Sequence, residues 1–335
     1  MSAGFHIFQL PAVALEQTID LFEIQDLVLL SSTSRNAFNA IKYNRTRRSD
    51  LGLTMNCFNY RVELRSIMKS ATIISASKKD DDMPNEGLST MKIRGHTVSM
   101  RRVPVTIPGF IEYPTTYWDD PSVGFRIIVD FVQDLLRVDL HSLWINRSSL
   151  WALDWVNERQ NVLMNLRTHP LEELTVEEYD MIMKKSSAKR IFLLSRVQHE
   201  FSYTGGLENR EFIHMRDGHW MKVETFLQLN CQEMLIDYSS FTNNDVNLII
   251  KHWMAGKLPN LKILKTHVEP HPNSEVIYAG LEHYFVEAKP GRTIKSDWLF
   301  GFRGDKYLRR SDGTTASIEI FFNTFTMVVW SDTSG

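Results

Sequence analysis

The chain has 335 residues, with 38 lysines and arginines against 40 aspartates and glutamates, for a net charge of -2. That balance gives no field for a polyanion, so neither nucleic acid nor an anionic membrane is an expected partner. Hydrophobic residues at 43% and charged residues at 23% describe a globular chain rather than a disordered one, and the length suggests about two domains. The apolar run at 125–132 is broken by Arg126 and Asp130 and falls short of the ~18 residues that a membrane span needs. Residues 1–10 lack a basic region ahead of an apolar core and do not read as a secretory leader. Cys57 and Cys231 are too few for a disulfide framework, so a reduced cytoplasmic or nuclear setting is expected.

In chain order, Leu10-Pro11 opens a run in which Val13, Ala14, Leu15, Ile19 and Phe22 recur at helical spacing. A second short helix from Asp26 carries Leu27, Leu29 and Leu30. The hydroxyl run 31–34 can cap a third helix bearing Phe38 and Ile41. Three helices in about 40 residues cannot bury all their apolar area, so the leftover face docks either on the rest of the chain or on a partner. The basic run 42–48 reads as a linker or helix end.

From 49 to 120 the pattern is weakest. Segments 71–76 and 91–105 have strand composition, and the polar stretch 78–87 between them reads as a mobile loop. After a proline-rich passage, Phe125, Ile128, Val129, Val132, Leu135 and Leu136 form the stripe of an amphipathic helix.

An apolar pattern with steps of three then two recurs at Leu140, Leu143, Ile145; Leu171, Leu174, Val176; Ala188, Ile191, Leu193; Cys231, Met234, Ile236; and Leu258, Leu261, Ile263. Leucine-rich repeats stack parallel strands into a curved sheet with this spacing, and the long third interval leaves room for another strand at 212–215. A non-repetitive α/β domain with short buried strands is the competing reading. Thr242 and Asp245 form a capping box for a helix lined by Val246, Ile249, Ile250 and Trp253 and stopped by Gly256. Asp312-Gly313 marks the turn of a hairpin between 306–310 and 317–322.

The order Leu10-Pro11, Leu15, Ile19, Phe22, Asp26-Leu27, Leu30-Ser31, Ser34-Arg35 resembles an F-box of the form common among nematode proteins. The stretch 241–264, with Asn247, Lys251-His252-Trp253, Gly256 and Pro259-Asn260-Leu261, resembles the type 2 F-box associated domain of the nematode F-box B family. The tail does so too, through 309–313, Thr315-Ala316 and 327–330. The resemblance implies a mixed α/β fold: an F-box at 1–48, a poorly defined β region at 49–120, and a degenerate leucine-rich-repeat-like and F-box associated domain at 121–335 ending in a hairpin. It further implies that Leu10, Pro11, Leu15, Ile19, Leu27 and Leu30 bind a Skp-type adaptor, and through it a cullin scaffold, making the chain the substrate-recognition subunit of an SCF ubiquitin ligase. Thr18 stands where the family has an aliphatic residue, and 36–38 lacks the tryptophan of many F-boxes; both weaken the expected contact.

No catalytic residue, metal or cofactor is expected in this reading. The proline-broken group His267, His271 and His283 does not have ligand spacing, and the surroundings of Cys57 match no nucleophile turn. The unknown protein substrate is expected on the outward strand positions Trp144, Asn146, Thr175, Glu177, Phe192, Leu235, Asp237 and Lys262, with Trp144, Phe192 and Leu235 as apolar anchors. That face can equally be covered by 50–120 or 280–335. A repeat scaffold unconnected to ubiquitin is the alternative.

Overall fold

A computed structural model describes residues 7–46, 51–65, 70–80, 87–104, 112–198, 200–287, 296, 298–299 and 301–330. The chain divides into two compact units, Met1–Ser149 and Leu150–Gly335.

The first unit opens with α1 (Ala12–Asp20), α2 (Ile24–Ser31) and α3 (Arg35–Asn44). The expected cap is present: the Ser34 hydroxyl accepts the Ala37 N–H at 3.1 Å. The 49–120 region is more ordered than its sequence pattern suggests. It forms β1 (Gly52–Asn56), β2 (Arg61–Arg65), β3 (Ser70–Lys78), β4 (Ser89–Ile93), β5 (His96–Val103) and β6 (Tyr113–Trp118). These are followed by α4 (Pro121–Leu136) and β7 (Leu140–Ile145). The sheet order is β7-β1-β2-β3-β6-β5-β4, with β1/β7 and β3/β6 parallel and the other pairs antiparallel.

The single strand expected over 91–105 is instead a hairpin. Arg94 and Gly95 both take positive φ (47° and 88°), the backbone of a two-residue turn whose twist suits β4 and β5. The loop expected at 78–87 falls largely outside the described residues, as do 105–111 of the proline-rich passage and 47–48 of the basic run. In α4, Asp120 caps the first turn, accepting the Ser122 N–H at 2.8 Å, and the helix ends at left-handed Arg137. Its predicted stripe is buried throughout and packs on β3 and β6.

In the second unit come α5 (Trp151–Asn157), β8 (Leu163–Thr168), β9 (Glu173–Leu174), α6 (Val176–Lys185), β10 (Ala188–Leu193) and β11 (Arg196–Val197). Then follow β12 (Phe212–Met215), α7 (Val223–Phe226), β13 (Glu233–Ile236), α8 (Asn243–Met254), β14 (Ile263–His267) and α9 (Ser274–Ile277). The chain continues through β15 (Phe285–Val286), β16 (Lys306–Arg309), β17 (Thr315–Phe321) and β18 (Thr324–Trp330). Strands β8-β10-β12-β13-β14 are parallel and lie side by side in chain order, and β18-β17-β16-β15 extend them antiparallel.

One cross-strand row, Leu166, Ile191, Ile213, Met234, Leu264 and Met327, is fully buried. Each of these side chains contributes about 1.5–3 kcal/mol through removal from water. The strand expected at 212–215 is β12, the capping box at Thr242 and Asp245 is formed, and the turn through Gly313 (φ 89°) joins β16 to β17.

The apolar triplets are buried at four of the five positions, with both of the last two residues on one strand in β7, β10 and β13 and Leu261 lying just ahead of β14. At the second the pattern fails: Leu171 is 85% exposed, Leu174 sits in β9, which pairs only with β11, and Val176 begins α6. The reason is local. Thr175 accepts the Glu178 N–H while Glu178 accepts the Thr175 N–H, a capping box that starts a helix where the apolar spacing alone asks for a strand.

Candidate functional site

In the helical module the residues expected to bind an adaptor divide by burial. Leu15, Ile19 and Leu27 are 6%, 0% and 1% exposed; α1 and α2 both pack on α3, and α2 also packs on β3, β6 and α4, so part of the leftover face is covered by the chain itself. Their side chains therefore face inward in the chain by itself. A four-residue step places Leu15 and Ile19 on one face of α1, the face that the short module needs for its own core. Pro11 is exposed, and Leu10 and Leu30 are half-buried. The outward large apolar side chains among the described residues of the module are Val13 at 68%, Leu21 at 86%, Phe22 at 39% and Tyr43 at 65%. Leu21 and Val13 are absent from the expected set, which came from the F-box resemblance and not from exposure.

In the first unit Trp144 is half-buried on β7, with its ring 5.8 Å from that of Phe58. Its carbonyl accepts the Cys57 N–H at 2.9 Å. Burial pushes the Cys57 thiol up to about 12, so it is a neutral thiol at physiological pH. Asn146 lies just past β7, where its side chain accepts the Ser148 and Ser149 hydroxyls.

In the second unit the parallel register places Phe192, His214, Leu235 and Lys265 in one row on the sheet face opposite the buried row. Asp237 extends that face beyond β13. Phe192, Leu235 and Asp237 therefore share a face, as the alternation predicts. Three other residues do not: Thr175 caps α6, Glu177 is within α6, and Lys262 precedes β14. Lys265 is the outward lysine of β14, because Ile263 and Leu264 are both buried and shift the alternation by one position.

This face is partly covered by its own chain. At the entering ends of the strands, the Trp298 ring lies tilted against that of Phe212, 5.7 Å between centroids, and donates its indole N–H to Glu233 at 2.7 Å. Trp298, Leu299 and Phe302 close over Ile263 and Val328. At the leaving ends the face is open and forms a cleft of about 570 Å³ lined by His214, Arg216, Asp237, Tyr238, Lys265, Thr266, His267 and Thr324.

His214 Nε2 lies 2.9 Å from an Asp237 carboxylate oxygen. The Gly218 N–H donates to the Asp237 carbonyl at 2.9 Å, and a Cβ on Gly218 would fall 2.3 Å from Ile236 Cγ2, so only glycine lets this loop close against the end of β13. Asp237 is the one cleft residue that the outward row identifies. Arg216, Tyr238 and His267 are missed because they sit at or past strand ends, where period-two reading stops, and Lys265 because the alternation in β14 is shifted by one position.

Among the described residues no three histidine, cysteine or carboxylate side chains converge as a metal site. Among them, too, no helix is long and apolar enough to cross a membrane.

Residues 206–266 match the family model described as F-box associated. The matched stretch runs from β12 through β14 and contains His214, Arg216, Asp237, Tyr238, Lys265 and Thr266 of the cleft. No curated protein and no solved structure matches the chain.

Proposed function

We propose that the chain is the substrate-recognition subunit of an SCF-type ubiquitin ligase. Its N-terminal helices dock on a Skp-type adaptor carried by a cullin scaffold, and its C-terminal unit holds the target. The observation that carries this reading is the F-box associated match at 206–266, in a chain that also opens with three short helices. The chain itself performs no bond chemistry. It raises the effective concentration of a target lysine beside a charged conjugating enzyme, turning a bimolecular attack into a nearly intramolecular one.

In this reading Leu15, Ile19 and Leu27 hold the module together, while Pro11, Val13, Leu21 and Phe22, with half-buried Leu10 and Leu30, meet the adaptor. Calorimetric titration of the full chain with a Skp-type adaptor tests this. Val13→Asp with Leu21→Asp should raise Kd about 100-fold or more, since each buried apolar side chain contributes about 1.5–3 kcal/mol, while leaving the circular dichroism unchanged. Ile19→Asp, at a fully buried position, should melt the module as well. A parent chain that does not bind, or a folded double variant that binds unchanged, overturns the reading and leaves the repeat scaffold in its place.

A further inference from the structure

The cleft at the leaving ends of β12, β13 and β14 has a charge imbalance that its own side chains do not correct. Among the described residues Asp237 is the only carboxylate in its lining, and it is engaged by His214. Arg216 donates to the neutral carbonyl of Pro170, which satisfies an N–H but leaves the guanidinium charge uncompensated. Lys265 is half-buried, and its ammonium makes no hydrogen bond or ion pair with any described residue. His267 adds a further polar atom, Nδ1, that is sealed from solvent and has no partner among the described residues. Two fixed cations against one committed carboxylate, in a concave site with reduced screening, favour an incoming anion. The same cations disfavour a metal ion.

The rim is aromatic and strained. Tyr238 holds φ at 48° with its side chain 69% exposed and its ring 6.3 Å from that of His267. Phe322, also left-handed at 50°, is 81% exposed beside Phe321 at 66%, in the turn that leads directly into Thr324 of the cleft lining. In the sheet order Tyr238 follows β13 and the phenylalanines join β17 to β18, with His267 of β14 between them. Exposed aromatic side chains flanking a cationic cleft suit an anionic side chain carried on a peptide, rather than a free small anion.

We infer that this cleft binds an acidic side chain, carboxylate or phosphate, of a segment of the protein target, with flanking apolar residues resting on Tyr238 and the Phe321–Phe322 turn. This rests on the reading of the C-terminal unit as the target-binding part.

The test uses the full chain and immobilised peptide pools whose flanks are degenerate and whose central residue is glutamate, phosphoserine, glutamine or lysine. The glutamate pool, the phosphoserine pool or both should be retained about tenfold over the glutamine and lysine pools, the factor that one charge-assisted contact supplies. The stronger of the two acidic pools identifies the anion. Lys265→Met should abolish the preference and Lys265→Arg should keep it. Equal retention of all four pools, or a preference that survives Lys265→Met, overturns the inference. Adaptor binding measured on the same preparations separates the two claims: a charge preference without adaptor binding sinks only the ligase reading, and adaptor binding without a charge preference sinks only this one.

Discussion

Gly124→Ala sets a favourable local effect against an unfavourable tertiary one. In an exposed helix interior the change is stabilising by about 1 kcal/mol, through propensity and a smaller unfolded-state entropy. Gly124 lies in α4 against β6, however, and an added Cβ would fall 2.2 Å from Trp118 Cγ and 2.3 Å from Cδ2, far inside carbon contact distance. The indole cannot easily swing away. Its N–H donates to the Thr116 hydroxyl at 2.8 Å, and that hydroxyl in turn donates to the Ser75 carbonyl at 2.8 Å, all of it buried. Overpacking costs about 1–3 kcal/mol, and stranding the indole N–H costs about 1–3 more if the ring moves. The net expectation is a destabilisation of about 2 kcal/mol, read as a lower urea midpoint by circular dichroism. In a Trp118→Leu background the same substitution should cost clearly less, because the atoms it strikes are gone. A variant as stable as the parent, or an equal cost in both backgrounds, refutes the packing argument.

Burial pushes both Cys57 and Cys231 thiols up to about 12 from an ordinary value near 9. Both should resist iodoacetamide in the folded chain at pH 8 and react once it is unfolded, as mass spectrometry would show. Between pH 9 and 12 the unfolded chain sheds these protons while the folded chain keeps them, so stability should fall with rising pH by about 1.4 kcal/mol per unit for each thiol. A urea midpoint flat from pH 9 to 11 contradicts this. Thr242→Ala and Thr175→Ala each remove one hydroxyl of a capping box, accepting from Asp245 and Glu178 N–H at 3.3 Å. Each should cost about 1 kcal/mol in equilibrium unfolding, whereas Thr→Ala at a site without a cap stays near zero.

The local code of this chain was largely legible. Serine at 34, threonine at 242 and glycine at 313 each act on their own neighbours, so the α3 cap, the α8 cap and the β16–β17 turn follow from residues within a few positions. Buried strands such as β10, β12 and β13 were readable because alternation survives wherever one face is dry. Where two local signals competed, near Leu171 to Val176, the capping box prevailed over apolar spacing.

What the sequence determined by itself was therefore the caps, turns and inward faces of the strongly patterned elements, α4, β10, β13 and α8 among them. Only the tertiary structure decided which apolar residues are spent on the chain's own interior. It buries Ile19 and exposes Leu21, and it draws Trp298 over Phe212 while leaving Lys265 uncovered. The physical reason is that exposure is set by long-range neighbours. Whether a greasy or charged side chain meets water depends on which distant segment folds over it, and no spacing within one helix or strand carries that information.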